Sequence, residues 1–263
     1  MKTVLITGAY GGMGKATADI LKKQGYKVFA LDIKVGEEQE NIIPVPCDIT
    51  CISSIEQAFE MVKSHTDTLD AIVHFAGIYN LSSLIEMQNQ AFERIFDINV
   101  RGAFLINKIF FPLMKKGSKI LLTTSELAPL APLPFTGIYA VTKSALDKYA
   151  YSLKMELQLL DIQVSVLRAG AVQTDMLGVS TSALDTFCEN TKLYSCNAKR
   201  FKKIVDNVEA KCVSPLKIGE KTAKILQKRK TKFAYAINRN PLLLLLNALP
   251  KHFQFWIIRR ILK

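Results

Sequence analysis

The first residues of this chain place the strongest restriction on its fold. Residues 2–7 are short and mostly apolar, as in a buried strand, and a glycine-rich loop follows them: Gly8-Ala9-Tyr10-Gly11-Gly12-Met13-Gly14. A helical pattern then begins near residue 15. Glycines let a backbone turn tightly and approach a phosphate group, and the free N–H groups at a helix start can bind that phosphate. The pattern therefore predicts a strand, a phosphate-binding loop and a helix.

An acidic residue ends the next predicted strand. Residues 27–31 have the composition of a strand, and Asp32 follows them. A carboxylate at this position can accept hydrogen bonds from both ribose hydroxyls of NAD, and it repels the additional phosphate of NADP. Strand, loop, helix, strand and acid in this order predict a dinucleotide site much more strongly than a glycine loop alone. We expect NAD rather than NADP, and Lys15 and Lys34 leave weak NADP use open.

Strands and helices alternate along the rest of the first 170 residues. The patterns predict strands at 42–45, 71–75, 119–123 and 163–167, and helices at 15–24, 52–64, 87–114 and 139–160. This alternation predicts an α/β fold, a single Rossmann-type, doubly wound parallel sheet with helices on both faces. Ligands of such sheets bind beyond the carboxyl ends of the strands. The segment 34–41 is too short for a crossover helix, so we expect a loop there. No linker divides the chain, which predicts one domain over residues 1–263.

Tyr139 and Lys143 predict acid–base chemistry. Their spacing of four residues places both side chains on one face of the predicted helix, close enough to touch. A free phenol titrates at about 10, and a nearby positive charge favours its ionised form. The pair therefore predicts a proton donor and acceptor that works near neutral pH.

Cysteine and histidine usage favours a cytoplasmic protein without a metal centre. The chain has five cysteines in no CxxC pattern, which is typical of a reducing compartment, and three isolated histidines. His74 lies in a predicted buried strand, so we expect a structural role for it. The first residues already form a predicted strand, so we expect no secretory signal.

These motifs together resemble the short-chain dehydrogenase/reductase family over roughly residues 3–180. The loop starting at Thr7 matches the family pattern TGxxxGxG, and Tyr139-Ala140-Val141-Thr142-Lys143 matches YxxxK. Asn99 is similar to the family's helix asparagine, and Asp48 is similar to the acid that holds the adenine ring. His74-Phe75-Ala76-Gly77 stands where the family has NNAG.

The resemblance implies a role for each matching residue. Tyr139 would exchange the proton on the substrate oxygen, and Lys143 would lower its pKa and bind the nicotinamide ribose. Ser125 would hydrogen-bond the substrate carbonyl, with Thr123 and Thr124 as nearby alternatives, and Asn99 would hold a water that links Lys143 to solvent. The resemblance implies cofactor contacts from Gly8, Gly12, Met13, Gly14, Asp32, Asp48, Ile49, Ala76, Gly77, Tyr139, Lys143, Val172 and Thr174.

The activity implied by the resemblance and by the apolar lid segment is hydride transfer between NAD and a lipophilic secondary alcohol or ketone, such as a steroid, retinoid or other lipid. The resemblance implies a substrate lid over residues 176–211, because the family diverges in this region. The segment mixes apolar and polar residues and has no arginine cluster beside the active site for a small carboxylate, which favours an apolar substrate. The alternative is a dinucleotide-binding sensor or scaffold without turnover, which the presence of Tyr139 and Lys143 disfavours. The resemblance also implies a homodimer or homotetramer that pairs through the two long helices.

The C-terminal quarter has a different character from the rest of the chain. Residues 1–198 carry 18 Lys/Arg and 20 Asp/Glu, whereas residues 199–263 carry 17 and 3. The tail, which we define as residues 240–263, combines a leucine run with Trp256 and flanking basic residues. Asn240 predicts a helix cap, and Pro250 predicts the start of a second short helix. Two interpretations stay open: peripheral attachment to an anionic membrane, or packing over the substrate pocket or a subunit partner. No nucleic-acid-binding motif is recognised, so we expect no nucleic-acid partner.

Overall fold

The computed structural model describes residues 1–209 and 211–263, and the side chains of 175–181, 208 and 209 lie outside that description. Seven parallel strands form one sheet in the order β3-β2-β1-β4-β5-β6-β7. Their bounds are β1 Lys2–Thr7, β2 Tyr26–Asp32, β3 Ile42–Pro46, β4 Leu69–His74, β5 Met114–Ser125, β6 Gln163–Ala169 and β7 Ala234–Ile237. This arrangement confirms the predicted α/β fold class.

Helices cover both faces of the sheet. Their bounds are α1 Gly12–Lys23, α2 Ile52–Lys63, α3 Asn89–Phe96, α4 Gly102–Phe110, α5 Gly137–Leu157, α6 Asp175–Asn190, α7 Ser195–Glu209, α8 Pro215–Gln227, α9 Pro241–Ala248 and α10 Lys251–Leu262. Buried side chains of α2, α4 and α5 pack on one face of the sheet, and those of α1 and α8 pack on the other. Apart from β7 and the first residues of β5, the strands are largely buried, which explains their nearly continuous apolar sequences.

The predicted helical region over 87–114 is confirmed, but it is not one uniform α-helix. The chain forms α3, then a π-helical turn at Asp97–Arg101, then α4, and Met114 already belongs to β5. A π turn adds a residue to the helical repeat and rotates the side chains that follow it, and such turns often lie at functional sites. Here the turn contains Asn99, which is buried.

Two elements near the C-terminal edge of the sheet were not predicted. These elements are α8 and β7. The strand β7 has only four residues and pairs with β6 in parallel. A strand this short, next to a run of basic residues, gives no clear alternation of apolar and polar positions. The predicted loop at 34–41 is confirmed, because no helix or strand occupies these residues.

His74 has the expected structural role at the end of β4. Its ring is buried, and its Nε2 lies 2.9 Å from Oδ1 of Asn107 in α4. Burial lowers the pKa of His74 from 6.5 to about 4, because the charged ring would lose its hydration. A neutral histidine therefore joins the sheet to α4.

The lid and the tail each form a helical pair. The lid residues lie in α6 and α7, although Met176, Leu177 and Val179, which contributed to that prediction, have side chains outside the described part. In the tail, the side chain of Asn240 accepts a hydrogen bond from Leu242 N, which confirms the predicted cap of α9. None of the helices in the described ranges is both long and apolar enough to cross a bilayer.

Candidate active site

The glycine loop has the shape of a cradle that side chains would fill. Gly8 has φ +67°, and a Cβ on it would lie 2.6 Å from Ala76 N. A Cβ on Gly14 would collide with the Gly8 carbonyl oxygen, and one on Gly12 would lie 2.8 Å from the Thr174 methyl group. A small cavity of about 210 Å³ lies between this loop, Phe75 and Thr174. The loop opens onto the first turn of α1, so the residues present fit a bound dinucleotide phosphate.

Asp32 is held at the end of β2 beside the glycine loop. Its Oδ2 accepts a hydrogen bond from Tyr10 N at 3.0 Å, and its Oδ1 accepts one from Ile33 N at 2.8 Å. Each carboxylate oxygen keeps a lone pair for a further donor. The arrangement is suited to a ribose diol at this edge of the sheet.

Asp48 and Ile49 lie just past the end of β3. The Asp48 carboxylate accepts hydrogen bonds from Thr50 N and Thr50 Oγ1, at 2.9 and 2.7 Å, which fixes the turn into α2. The Ile49 side chain is buried against Gly102, where a Cβ would lie 2.6 Å from it. Ile49 therefore contributes its side chain to the core and leaves its backbone for a ligand.

Tyr139 and Lys143 occupy one face of α5, as the spacing predicted. Nζ of Lys143 lies 5.7 Å from the centre of the Tyr139 ring and donates a hydrogen bond to the carbonyl oxygen of Thr123 at 3.1 Å. The ring of Tyr79 meets the Tyr139 ring edge-on, with centroids 4.4 Å apart. The lysine is therefore anchored on β5, beneath the tyrosine.

The pKa of Tyr139 departs from the expected direction. Burial raises it to about 12, and a hydrogen bond from Ser125 opposes the rise. Burial also lowers the pKa of Lys143 from 10.5 to about 8. Loss of hydration therefore dominates the pKa values of both groups and outweighs the predicted effect of Lys143 on Tyr139. A phenol that stays protonated is a proton donor in this state.

Ser125 is the last residue of β5, and its side chain forms a hydrogen bond with Tyr139. Of the two alternatives, Thr124 Oγ1 donates to Asp147 at 3.2 Å, whereas Thr123 Oγ1 is buried and has no hydrogen-bond partner among the described residues. The Ser125 Oγ also accepts a hydrogen bond from Leu127 N at 3.2 Å. Ser125 is the hydroxyl that bonds to Tyr139, and Thr123 stays an alternative because it also lines the large cavity.

Asn99 fixes the loop that follows β4. Its Oδ1 accepts a hydrogen bond from Ile78 N at 2.8 Å, and its Nδ2 donates to Ile78 O at 2.9 Å and to Thr142 Oγ1 at 3.1 Å. A Cβ on Gly77 would lie 3.1 Å from Asn99 Oδ1 and 3.4 Å from Lys143 Nζ. The side chain of Asn99 therefore ties the loop to α5 next to the lysine.

Val172 and Thr174 follow β6 at the same edge of the sheet. Val172 is buried and forms a parallel bridge with Val213, while Thr174 directly precedes α6 and faces Gly12. The structure thus collects the sequence-predicted residues along the carboxyl ends of the strands.

A large apolar cavity begins at Tyr139 and ends at the tail. Its volume is about 530 Å³, and Ser125, Tyr139 and Lys143 form its polar end. The tail supplies much of its apolar wall through Leu242, Leu243, Leu245, Leu246, Leu249, Ile257, Ile258, Ile261 and Leu262. The interpretation that the leucine run packs over the pocket is therefore confirmed for the inner side of the tail.

Glu126 is a site residue that the sequence analysis missed. It is buried, it lines the large cavity, and its Oε2 accepts a hydrogen bond from Asn240 N at 2.6 Å. Burial raises its pKa, and the bond from Asn240 opposes that rise. The carboxylate joins the end of β5 to the start of the tail, and its position directly after Ser125 was the only available signal.

Known proteins share the motifs of this chain. The sequence profile of the short chain dehydrogenases matches residues 2–185, which is more than two thirds of the chain. The chain belongs to the short-chain dehydrogenase family. It is accordingly an oxidoreductase that acts on CH–OH or C=O groups with a nicotinamide cofactor. Members of this family are generally oligomeric.

Two named relatives differ in how much of this dehydrogenase they match. Short-chain dehydrogenase PC-15 of Penicillium crustosum is 31% identical over 180 residues, which is 66% of either chain and just under two thirds of that protein's length. The 3-ketodihydrosphingosine reductase of Bacteroides thetaiotaomicron is 25% identical over 231 residues, 88% of this chain and 85% of that protein. The second match is longer than the family profile and therefore extends past residue 185.

Solved structures share the fold over 90% of this dehydrogenase. A short chain dehydrogenase family protein from Francisella tularensis has a TM-score of 0.75 at 22% identity and is covered over 97% of its length. The 3-ketoacyl-(acyl-carrier-protein) reductase from Brucella melitensis, complexed with NADH, has a TM-score of 0.72 at 22% identity and is covered over 96%. At this level of identity the likeness concerns the fold.

Proposed function

We propose that this short-chain dehydrogenase uses NAD to interconvert a long, lipophilic secondary alcohol and its ketone. The observation that carries the proposal is the cavity of about 530 Å³, whose polar end holds Tyr139, Ser125 and Lys143 and whose wall is the apolar tail. Ligand pockets of about 300–1,000 Å³ enclose most of the surface of a drug-sized molecule. An apolar chain in this cavity would leave only its oxidised carbon beside the polar groups.

The chain's own residues have distinct tasks in this proposal. Tyr139 gives its proton to the ketone oxygen during reduction, and Ser125 donates a hydrogen bond to the same oxygen as its negative charge develops. Lys143 positions the ribose of the cofactor and stabilises the tyrosinate that remains. Asn99 positions Lys143 through the loop at Gly77. The bound nicotinamide supplies the hydride acceptor or donor.

Preference for NAD over NADP rests on Asp32. Its carboxylate is fixed by two backbone N–H groups and lies beside the glycine loop, where the adenosine ribose of a dinucleotide would bind. A 2′-phosphate at this position would meet a negative charge. In this proposal Gly8, Gly12, Met13 and Gly14 contact the diphosphate.

The remaining cofactor contacts lie at neighbouring strand ends. Asp48 and Ile49 would hold the adenine ring, Ala76 and Gly77 would contact the ribose, and Val172 and Thr174 would hold the carboxamide. These six positions are brought to one edge of the sheet by the parallel order of the strands.

The substrate class follows from the apolar wall and from the relative matched over most of its length. A 3-ketodihydrosphingosine reductase acts on a ketone with a long alkyl chain, and its match to this chain includes the region beyond the family profile. We therefore favour a long-chain lipid ketone within the broader class that includes steroids and retinoids. The lid and the tail then form the substrate compartment of a single domain over residues 1–263.

A homodimer or homotetramer fits the exposed apolar residues of α4 and α5. Phe104 on α4 and Val141, Tyr151 and Met155 on α5 are all exposed in the single chain. Apolar residues exposed on paired helices are typical of subunit contacts. Light scattering of the wild type and of the double variant F104E/M155E tests this pairing. A wild type that is monomeric at micromolar concentration would contradict it.

A substrate panel tests the proposed reaction directly. NADH oxidation is followed with 3-ketodihydrosphingosine, a long-chain 2-ketone, a 3-ketosteroid, retinal and butanone, each with NADPH in parallel. We expect the highest kcat/KM for a long-chain ketone with NADH, and loss of turnover in Tyr139→Phe. Tight NADH binding without turnover of any ketone would instead favour a dinucleotide-binding sensor.

A further inference from the structure

The tail has two apolar faces, and the cavity explains only one of them. Leu243, Leu246, Ile257 and Ile258 line the cavity. On the outer side, Phe255 and Trp256 are exposed by 69% and 65%, and Phe253 is also exposed. Monomeric proteins rarely expose contiguous patches of large apolar side chains without a partner. The outer side of the tail therefore requires an occupant.

The cavity opens on this same side of the molecule. Leu242 and Leu245 line the cavity, yet they are exposed by 71% and 64%. Ile261 of α10 is likewise both a cavity residue and exposed. Apolar side chains of α9 and α10 thus belong both to the wall of the cavity and to the surface of the tail.

The two tail helices hold the exposed residues in a fixed arrangement. The buried side chain of Gln254 donates a hydrogen bond to Leu249 O at 2.7 Å, and so closes the corner between α9 and α10. Asn247 Oδ1 accepts a hydrogen bond from Ala131 N at 2.7 Å, and Asn197 Nδ2 donates one to Leu262 O at 2.7 Å. The tail is therefore docked at both ends, and its outer face does not depend on a partner for its shape.

The charged side chains of the tail and of the segment before it have one sign. Glu220 is the last acidic residue of the chain, and 11 Lys/Arg follow it among residues 221–263. On α10, Lys251, Arg259 and Arg260 are exposed close to the apolar side chains. Helices with exposed aromatic residues and basic neighbours are suited to the surface of an anionic bilayer, where the aromatic rings enter the interface and the cations meet lipid headgroups.

We propose that the outer face of the tail docks on an anionic lipid bilayer and that substrate enters the cavity from the membrane between α9 and α10. This inference rests on the proposed lipophilic substrate, because a molecule that partitions into a bilayer is best collected there. A second copy of the chain is a poorer occupant, because a symmetric contact would bring the two basic surfaces together.

Trp256 gives the test a direct signal, since it is the only tryptophan in the chain. The full-length protein is mixed with vesicles of phosphatidylcholine alone or with 30 mol% phosphatidylglycerol, roughly the charge of an anionic leaflet. Emission of Trp256 and co-sedimentation are recorded at low and high salt. With anionic vesicles we expect a blue shift, quenching by brominated lipid, and binding that weakens as salt rises.

Point variants keep the inference separate from folding and from catalysis. The double variant F255S/W256S changes two exposed residues that do not line the cavity, and L159S changes an exposed apolar residue at the end of α5 as the matched control. We expect F255S/W256S to lose about tenfold or more in vesicle affinity by co-sedimentation, and L159S to bind as the wild type does. Both should reduce a soluble ketone at the wild-type rate in the absence of vesicles.

Several results would overturn the membrane inference. Unchanged Trp256 emission and no sedimentation with anionic vesicles would do so. So would equal binding of F255S/W256S and wild type, or a blue shift that follows protein concentration without vesicles and coincides with a doubled mass. The proposed function fails in a different way, namely through the absence of ketone reduction by a protein that still binds vesicles.

Discussion

We predict that the buried charge of Lys143 lowers the free energy of unfolding, although the residue is needed for turnover. The variant Lys143→Met tests this prediction. Burial lowers the lysine pKa from 10.5 to about 8, which at about 1.36 kcal/mol for each pKa unit corresponds to a cost of about 3 kcal/mol for holding the charge inside the protein. Methionine has a similar length and no charge. It loses the bond to the Thr123 carbonyl oxygen, which is worth about 1 kcal/mol. The variant should therefore be more stable by about 2 kcal/mol at pH 7.

The pH dependence of this difference has a defined sign. Below about pH 8 the lysine is charged in both the folded and the unfolded chain, so the full cost is present. Between about pH 8 and 10.5 the folded protein loses the proton while the unfolded chain keeps it, so the cost declines. The stability advantage of Lys143→Met over the wild type should therefore shrink as the pH rises from about 8 to 10.5.

Urea unfolding of both proteins at pH 7, 8, 9 and 10 measures the difference, with Lys148→Met as the control because Lys148 is exposed on the same helix. NADH-dependent turnover of Lys143→Met should fall by about 100-fold or more. The reasoning is refuted if Lys143→Met is less stable than wild type at pH 7, or if the difference is the same at pH 7 and pH 10.

Three further predictions concern the cofactor, the acid stability and the cavity. Asp32→Ser should raise kcat/KM with NADP relative to NAD by about 10- to 100-fold, since one fixed charge is removed; an unchanged ratio would contradict the assignment. Between pH 6.5 and about 4, His74 takes up a proton only when the protein unfolds. As the pH falls through this range, the free energy of unfolding of the wild type, measured in urea, should therefore fall by up to about 3 kcal/mol more than that of His74→Asn. Parallel pH profiles of the two proteins would exclude this. Leu246→Trp should raise KM for a long-chain ketone by about tenfold and leave butanone nearly unaffected, because it fills the apolar wall. The control L216W changes an exposed residue of α8 and should change neither KM.

Much of the fold and part of the site follow from short-range patterns in the sequence. The glycine loop and Asp32 are separated by one helix and one strand, and Tyr139 and Lys143 by one helical turn, so local spacing alone places them. The parallel sheet then brings the strand ends together, including those that carry Asp48 and Ser125.

The rest depends on contacts between distant parts of the chain. The π turn around Asn99 is accompanied by the double hydrogen bond between Asn99 and Ile78, which no helical periodicity encodes. Glu126 became a candidate only when Asn240, 114 positions away, was found beside it. The raised pKa of Tyr139 has the same origin, because its burial needs parts of the chain that no local pattern places together.

Transfer of deuterium from NADH that carries deuterium in both hydrogen positions at C4 tests the central claim most directly. The wild type is mixed with labelled NADH and a long-chain 3-ketone, and the product alcohol is analysed by mass spectrometry. We predict an alcohol that carries one deuterium on the carbinol carbon, and formation slower by about 100-fold or more in Tyr139→Phe, which still binds NADH. Tight NADH binding by the wild type with no labelled alcohol from any ketone of the panel would contradict the account, and so would equal rates for Tyr139→Phe and wild type.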